Sequence, residues 1–301
     1  MTGIARVAVI GTGVLGSQIM MQAAYHGKKV IGYGISDELL AQLPQRWEWM
    51  RGFYADDLPD FDAGRFDEAI AAIEATTDIG VAVKDVDLVI EAVPENLELK
   101  REVWSEIGRL APEETLFATN TSALLPSDFA EATGRTDRFL ALHFANMIWR
   151  YNTGEVMRTP MTSQQTFDTV LAFAAEIGLE PIAIEKETPG YVLNGLLDPW
   201  LDGGSILYVD GVASPFDIDR TWRTAMGSPY GPFEVFDTVG FNVASIFAAQ
   251  SDNEKLQKFA RILAERGTDR GRDGRSSGEG FYRYDSRGEN IGPADGWEIE
   301  G

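Results

Sequence analysis

From Arg6 to about Glu185, short apolar runs alternate with amphipathic stretches. Val7-Ala-Val-Ile10 is apolar throughout and stops at Gly11. Val14 to His26 reads as a helix, with Gly27 in the position after its C-cap. Strands are predicted at Val30-Ile31, within 85–93, at 115–119 and at 139–143, and amphipathic helices over 97–110 and 164–177. Runs that lack polar alternation mark strands covered on both faces. The pattern therefore predicts an α/β domain of Rossmann type, with a doubly wound, mostly parallel sheet. It changes near Thr188. Thr188-Pro189-Gly190 reads as a helix start, because Thr caps and Pro is tolerated in a first turn. Helical stretches follow over 190–210, 215–226, 232–250 and 253–266 with no clear strand, and the tail from Gly267 reads as loop. Two domains are expected, 1–187 and an all-α domain over 188–301.

Composition narrows the function. The 301 residues include 26 basic and 47 acidic side chains, a formal charge of −21. That charge argues against nucleic acid or an anionic membrane as partner, since both are polyanions. The 44% hydrophobic content supports a buried core. With no cysteine there is no disulfide, thiolate nucleophile or sulfur-ligated metal, and two histidines disfavour a His-rich metal centre. No run of about 18 apolar residues occurs, and the N-terminus has no signal-peptide pattern, so a cytoplasmic protein is expected.

Gly11-Thr12-Gly13-Val14-Leu15-Gly16 matches G-x-G-x-x-G between a strand and a helix, the context in which that motif binds a dinucleotide. Gly11 allows the tight turn, Gly13 the approach of the pyrophosphate, and Gly16 close helix–strand packing. The helix N-terminus offers amide hydrogens to the phosphates. An NAD site usually carries Asp or Glu at the end of the second strand, where this chain has Gly34. No Arg or Lys follows within 35–45 to hold the extra phosphate of NADP, and Ser36 or Asp37 can reach a ribose. NAD is therefore the expected cofactor, with NADP open, and Gly34→Asp is expected to sharpen NAD selectivity.

His26 lies at a helix end, where a cation meets the helix dipole favourably, and reads as structural. His143 ends an apolar strand, on the rim where such sheets bind ligands. Oxidation of a hydroxyl needs a base that titrates near neutrality, and His143 is the candidate.

Over nearly its whole length the chain resembles the L-3-hydroxyacyl-CoA dehydrogenase family. The resemblance rests on Gly11 to Gly16, Glu91-Ala-Val-Pro-Glu95-Asn96, Asn120-Thr121-Ser122, His143-Phe-x-Asn146, Glu155-Val with Thr159-Pro160, Thr188-Pro-Gly-Tyr-Val-Leu-Asn194, Gly231-Pro-Phe-Glu-Val-Phe-Asp237 and Ser277-Gly-Glu-Gly-Phe-Tyr282. It implies that His143 takes the 3-hydroxyl proton while hydride passes from C3 to the nicotinamide. Glu155 would pair with this His, Ser122 and Asn194 would hydrogen-bond the substrate, and Glu95, Lys100 and Asn146 would line the nicotinamide half of the cofactor. It also implies a helical second domain like the C-terminal domain of 6-phosphogluconate dehydrogenase, a homodimer formed through it, and a place in fatty acid metabolism.

The chain departs from the family pattern at Ala145 and Met147 around Asn146, at Gly195 in place of an Arg, and at Ser276 in place of a Lys. Segment 45–62, where the family meets CoA, is aromatic and acidic: Trp47, Trp49, Phe53 and Tyr54 with Asp56, Asp57, Asp60 and Asp62. Those aromatics can stack on an adenine or cover a small substrate, whereas the acids repel phosphates. Three functions remain open: a dehydrogenase of CoA thioesters, a dehydrogenase of a free 3-hydroxy acid as in the L-gulonate dehydrogenase and lambda-crystallin branch, and a non-catalytic dinucleotide-binding protein.

Overall fold

The computed structural model describes residues 2–299, which divide into two units between Val192 and Leu193. The first contains, in chain order, β1 (Arg6–Ile10), α1 (Val14–Tyr25), β2 (Lys29–Tyr33), α2 (Asp37–Leu40), α3 (Leu43–Asp57), α4 (Ala63–Ala71), β3 (Ile73–Thr76), α5 (Ile79–Val83) and β4 (Leu88–Glu91). It continues with α6 (Leu97–Leu110), β5 (Leu116–Thr119), β6 (Phe139–Phe144), β7 (Thr153–Arg158), α7 (Gln164–Glu176) and β8 (Glu180–Ile184). The sheet order is β3-β2-β1-β4-β5-β6-β7-β8. All neighbours run parallel except β6 and β7, which are antiparallel. Strand order reverses between β1 and β4, and ligands of such sheets bind at that switch point.

The solid apolar runs have a direct cause. Val7 and Val9 of β1 belong to the core packed with α1, whereas Ala8 and Ile10 belong to the core built around Trp104 and Ile107 of α6. Both faces are therefore buried, as a doubly wound sheet requires. Three strands were not anticipated. β3 reads Ile-Glu-Ala-Thr and is largely exposed at a sheet edge. β7 carries Glu155 and Arg158 among few apolar positions. β8 begins Glu-Pro, and Pro181 is tolerated because β8 is the other edge strand.

The second unit contains α8 (Leu193–Val209), α9 (Pro215–Met226), α10 (Pro232–Val239), α11 (Phe241–Ala249), α12 (Glu254–Arg266), β9 (Tyr282–Tyr284) and β10 (Asn290–Pro293). Its core gathers Phe233, Phe241, Phe259, Leu263, Phe281 and Trp297. Three expectations change here. The helix expected from Thr188 starts at Leu193, because Gly190 and Tyr191 have φ of +76° and +56° and form a turn. The stretch 232–250 is two helices, broken at Gly240 with φ +90°.

The tail is not plain loop. Its β9–β10 hairpin is fastened by Asp237, which accepts from the Phe281 and Tyr282 amides at 2.7 and 2.8 Å and the Tyr284 hydroxyl at 2.9 Å. Trp297 closes that end, fully buried against Phe241 and Phe281. No helix among the described residues is long and apolar enough to cross a membrane.

Candidate active site

β1 ends at Ile10, and Gly11 turns away with φ +114°. A Cβ on Gly11 would stand 2.5 Å from the Ala92 carbonyl oxygen, so only glycine fits where the loop crosses the end of β4. A Cβ on Gly16 would stand 1.9 Å from Gly11 O, which is the helix–strand contact expected of the third glycine. Beside Gly13 there is open space, and no side chain caps α1. The first amides of that helix thus have no side-chain cap, the arrangement that helix N-termini offer to phosphates. Val14 is exposed, Leu15 packs on the core, and Thr12 is buried.

The substitution expected to sharpen cofactor choice meets a steric obstacle. A Cβ at Gly34 would stand 2.7 Å from Leu40 Cδ2 and 2.9 Å from Thr12 Oγ1. The Leu40 and Thr12 side chains must therefore shift before Gly34→Asp can act, and Thr12 belongs to the loop that the substitution was meant to tune. Ser36 is engaged as the cap of α2, with Leu39 N at 3.4 Å, while Asp37 is exposed.

His143 and Glu155 face each other across the antiparallel β6–β7 pair, and that register is the origin of their twelve-residue spacing. His143 Nδ1 lies 2.9 Å from Glu155 Oε2, and His143 Nε2 lies 3.1 Å from Ser122 Oγ. Because a carboxylate only accepts, Nδ1 carries the proton and Nε2 offers a lone pair on the Ser122 side. His143 and Glu155 are 6% and 2% exposed, so this pairing is shielded from water while Ser122 opens to solvent. The other Glu155 oxygen accepts from Val192 N at 2.9 Å.

Ser122 is held from beneath. Glu95 collects the Thr121 hydroxyl and the amides of Ser122, Ala123 and Leu124 at 3.1, 2.8 and 3.1 Å. Lys100 adds its ammonium at 3.3 Å. Burial pushes the Glu95 carboxyl up, but these donors and Lys100 outweigh it and hold the group below the usual carboxylate range. Lys100 is itself buried and sits 2.7 Å from Glu91. Glu91 also accepts from Thr119 Oγ1 at 2.6 Å and Trp104 Nε1 at 3.3 Å. Asn146 is exposed, and Gln18 of α1 donates to it at 2.8 Å while accepting from Met147 N at 2.9 Å.

Asn194 belongs to the second unit, where it lines a cavity of about 390 Å³ with Asp198, Leu201, Phe236 and Phe259. His26 is structural: its Nδ1 lies 2.9 Å from Gln22 O. Burial pulls its pKa down, which works against the cation expected at a helix end.

Sequence reasoning missed Gln18, Glu91 and Tyr191 as members of this neighbourhood. Glu91 carried a weak signal as the polar end of an apolar strand, whereas Gln18 is one of three polar residues, with Ser17 and Gln22, buried on α1.

The expectation for segment 45–62 also narrows. Trp47 and Tyr54 are buried in the core, Tyr54 donating to Gln22 at 2.8 Å, so neither is free to stack on a ligand. Trp49 remains 53% exposed, in a cluster with Phe53 and Trp149. Asp57 is engaged by Trp149 Nε1 at 2.9 Å and Arg150 at 3.6 Å, and Asp62 caps α4. Asp56 and Asp60 stay exposed.

A nicotinamide-binding oxidoreductase is the class that this fold and loop define. The description "3-hydroxyacyl-CoA dehydrogenase, NAD binding domain" matches residues 6–188, and that of the family's C-terminal domain matches 190–284. The chain belongs to the 3-hydroxyacyl-CoA dehydrogenase family. It is 34% identical to the mitochondrial hydroxyacyl-coenzyme A dehydrogenase of Homo sapiens, over 92% of this chain and 90% of that protein. It is 30% identical to 3-hydroxybutyryl-CoA dehydrogenase of Clostridioides difficile, over 93% and 99%. Among solved structures, a diketoreductase that acts on dicarbonyl compounds superposes with a TM-score of 0.91 at 49% identity, covering 94% of this chain and 100% of that one. The (S)-3-hydroxybutyryl-CoA dehydrogenase of Ralstonia eutropha superposes at 0.79 with 27% identity, over 94% and 100%.

Proposed function

We propose that the protein interconverts a 3-hydroxyacyl compound and its 3-keto form, with NAD as its cofactor and His143 as general base. One observation carries the reading: the imidazole is bracketed by Glu155 on Nδ1 and Ser122 on Nε2 at the end of β6. In the oxidative direction His143 Nε2 takes the 3-hydroxyl proton, and in reduction it returns that proton to the carbonyl oxygen. A nicotinamide cofactor, held at the Gly11–Gly16 loop, would supply the hydride chemistry at C3. Glu155 orients the ring and stabilises the imidazolium that the proton transfer creates. Ser122 offers its hydroxyl to the substrate oxygen, and Asn194 is its proposed second polar contact.

The Gly11–Gly16 loop is proposed to hold the pyrophosphate, and Asn146 to meet the nicotinamide side. Glu95 sets the Ser122 turn, and buried Lys100 works through Glu95 and Glu91 rather than by touching a ligand. NAD is preferred over NADP because residues 35–45 hold no Arg or Lys. A homodimer through the second unit is part of the proposal. Leu196 is 71% exposed there, and Phe247, Ile246, Met226 and Leu207 are exposed as well, an apolar surface that a second copy would cover. A single-chain mass in solution at micromolar concentration would contradict it.

A second reading is a substrate without the CoA carrier. The 49% identity to a diketoreductase favours it, and so do the exposed Asp56 and Asp60. Exposed charges are screened beyond about 8 Å in physiological salt, so the acids weaken CoA binding without forbidding it. The test is KM against ionic strength. For acetoacetyl-CoA we expect a high KM that falls as salt is raised, and for a neutral diketone a KM that does not move. A low acetoacetyl-CoA KM that rises with salt would mean that a basic patch receives the CoA phosphates.

A further inference from the structure

Tyr191 stands in the turn before α8 with φ +56°, a conformation that non-glycine residues adopt rarely and that bulky ones adopt at a cost. Its ring lies almost parallel to the imidazole of His143, with centroids 4.4 Å apart and planes 18° from each other. Its hydroxyl donates to the Thr121 carbonyl at 2.6 Å, and Thr121 directly precedes Ser122. The next amide, Val192 N, donates to Glu155. One short turn thus touches every part of the catalytic group: a ring on the base, a hydroxyl on the serine turn, and an amide on the carboxylate. Burial first, and then the neighbouring Glu95 and Glu155, push the phenol up, so it remains protonated as a donor. It is only 3% exposed.

We propose that Tyr191 is a positioning residue for the hydride-transfer reaction, its ring holding the His143 imidazole in the one plane that meets both Glu155 and Ser122. The inference rests on the proposal that His143 is the base. The ring backs one face of the imidazole and so blocks rotation out of the Glu155–Ser122 line. A face-on aromatic ring is also attracted to a cation, so the contact strengthens when His143 becomes an imidazolium. The strained backbone is tolerated because the Tyr191 hydroxyl on Thr121 and the Val192 amide on Glu155 fix the turn where it enters α8. Leucine at 191 would fill part of the space without a flat face against the ring, and alanine would leave a cavity, so either frees the imidazole to tilt.

The test compares Tyr191→Phe and Tyr191→Asn with His143→Gln, measuring single-turnover hydride transfer, substrate KM and the NADH dissociation constant. Asn accepts the left-handed conformation more readily than other residues, so it removes the ring without adding backbone strain. Misplacing a reacting group by about 1 Å can cost roughly 100-fold. Tyr191→Asn is therefore expected to slow hydride transfer by about 10- to 100-fold, with KM and NADH binding within about threefold of wild type. Tyr191→Phe keeps the ring and is expected to restore the rate to within about fivefold of wild type. Wild-type hydride transfer in Tyr191→Asn would overturn the proposal, and so would a Phe variant as slow as the Asn variant, because the ring would then not be the determinant. An active His143→Gln would instead overturn the assignment of the base, which separates the two failures.

Discussion

Replacing His143 with Gln should abolish turnover while NADH still binds. Gln keeps a polar group of similar reach but cannot take a proton, and general base catalysis typically contributes about 10²–10⁴-fold in rate. The Gly11–Gly16 segment proposed to hold the cofactor connects β1 to α1 and makes no hydrogen bond to this side chain, so binding is expected to stay within about threefold of wild type. A matched loss of NADH affinity would mean that His143 supports the fold of the site, and an unchanged rate would remove it from the mechanism. Glu155→Gln should give a smaller loss, because the ring would keep its partner in space but lose the charge that favours the imidazolium.

The second large effect concerns stability. Lys100 is 1% exposed and Glu91 is 0% exposed, and their charges lie 2.7 Å apart. Removing one member of a buried pair leaves the other uncompensated, which typically costs about 3–5 kcal/mol. Lys100→Met should therefore lower the unfolding free energy extrapolated from urea melts by an amount in that range, even though the new side chain suits a core. Thr119, Trp104 and the Val93 amide continue to donate to Glu91 and place the cost toward the lower end. Adding Glu91→Gln should recover part of the loss, since no buried charge then remains unpaired. A loss below about 1 kcal/mol would show that the pair is of no more consequence than a surface ion pair. The same substitution frees one side of Glu95, so a fall in activity beyond the loss of stability would trace the network to the Ser122 turn.

The sequence disclosed the nucleotide half of the molecule well because its signals are local. A glycine loop between an apolar run and a helix is written in adjacent residues, and β1, β4, β5 and β6 are apolar because both faces are covered. His143 was visible as the polar end of such a run. Glu155 was visible only through the resemblance: its strand carries two charges, and pairing with β6 across the hairpin is a long-range contact. The edge strands β3 and β8 hide for a related reason, since a strand at a sheet edge need not be apolar. Tyr191 was hidden by a misread turn. Thr188-Pro189-Gly190 has the residues of a helix start, but the left-handed Gly190 and Tyr191 delay α8 to Leu193, and the tyrosine stacks on the His143 ring. In segment 45–62 the composition was read correctly but exposure was not, since Trp47 and Tyr54 face inward along α3.

The most direct measurement supplies the purified protein with NADH deuterated at its transferable position, together with acetoacetyl-CoA in one reaction and a free 3-keto acid in another, and locates the label in the product by mass spectrometry. The account predicts a 3-hydroxy product carrying deuterium on C3 from at least one of the two, and none from His143→Gln. No labelled product from either compound, or deuterium on a carbon other than C3, would contradict it.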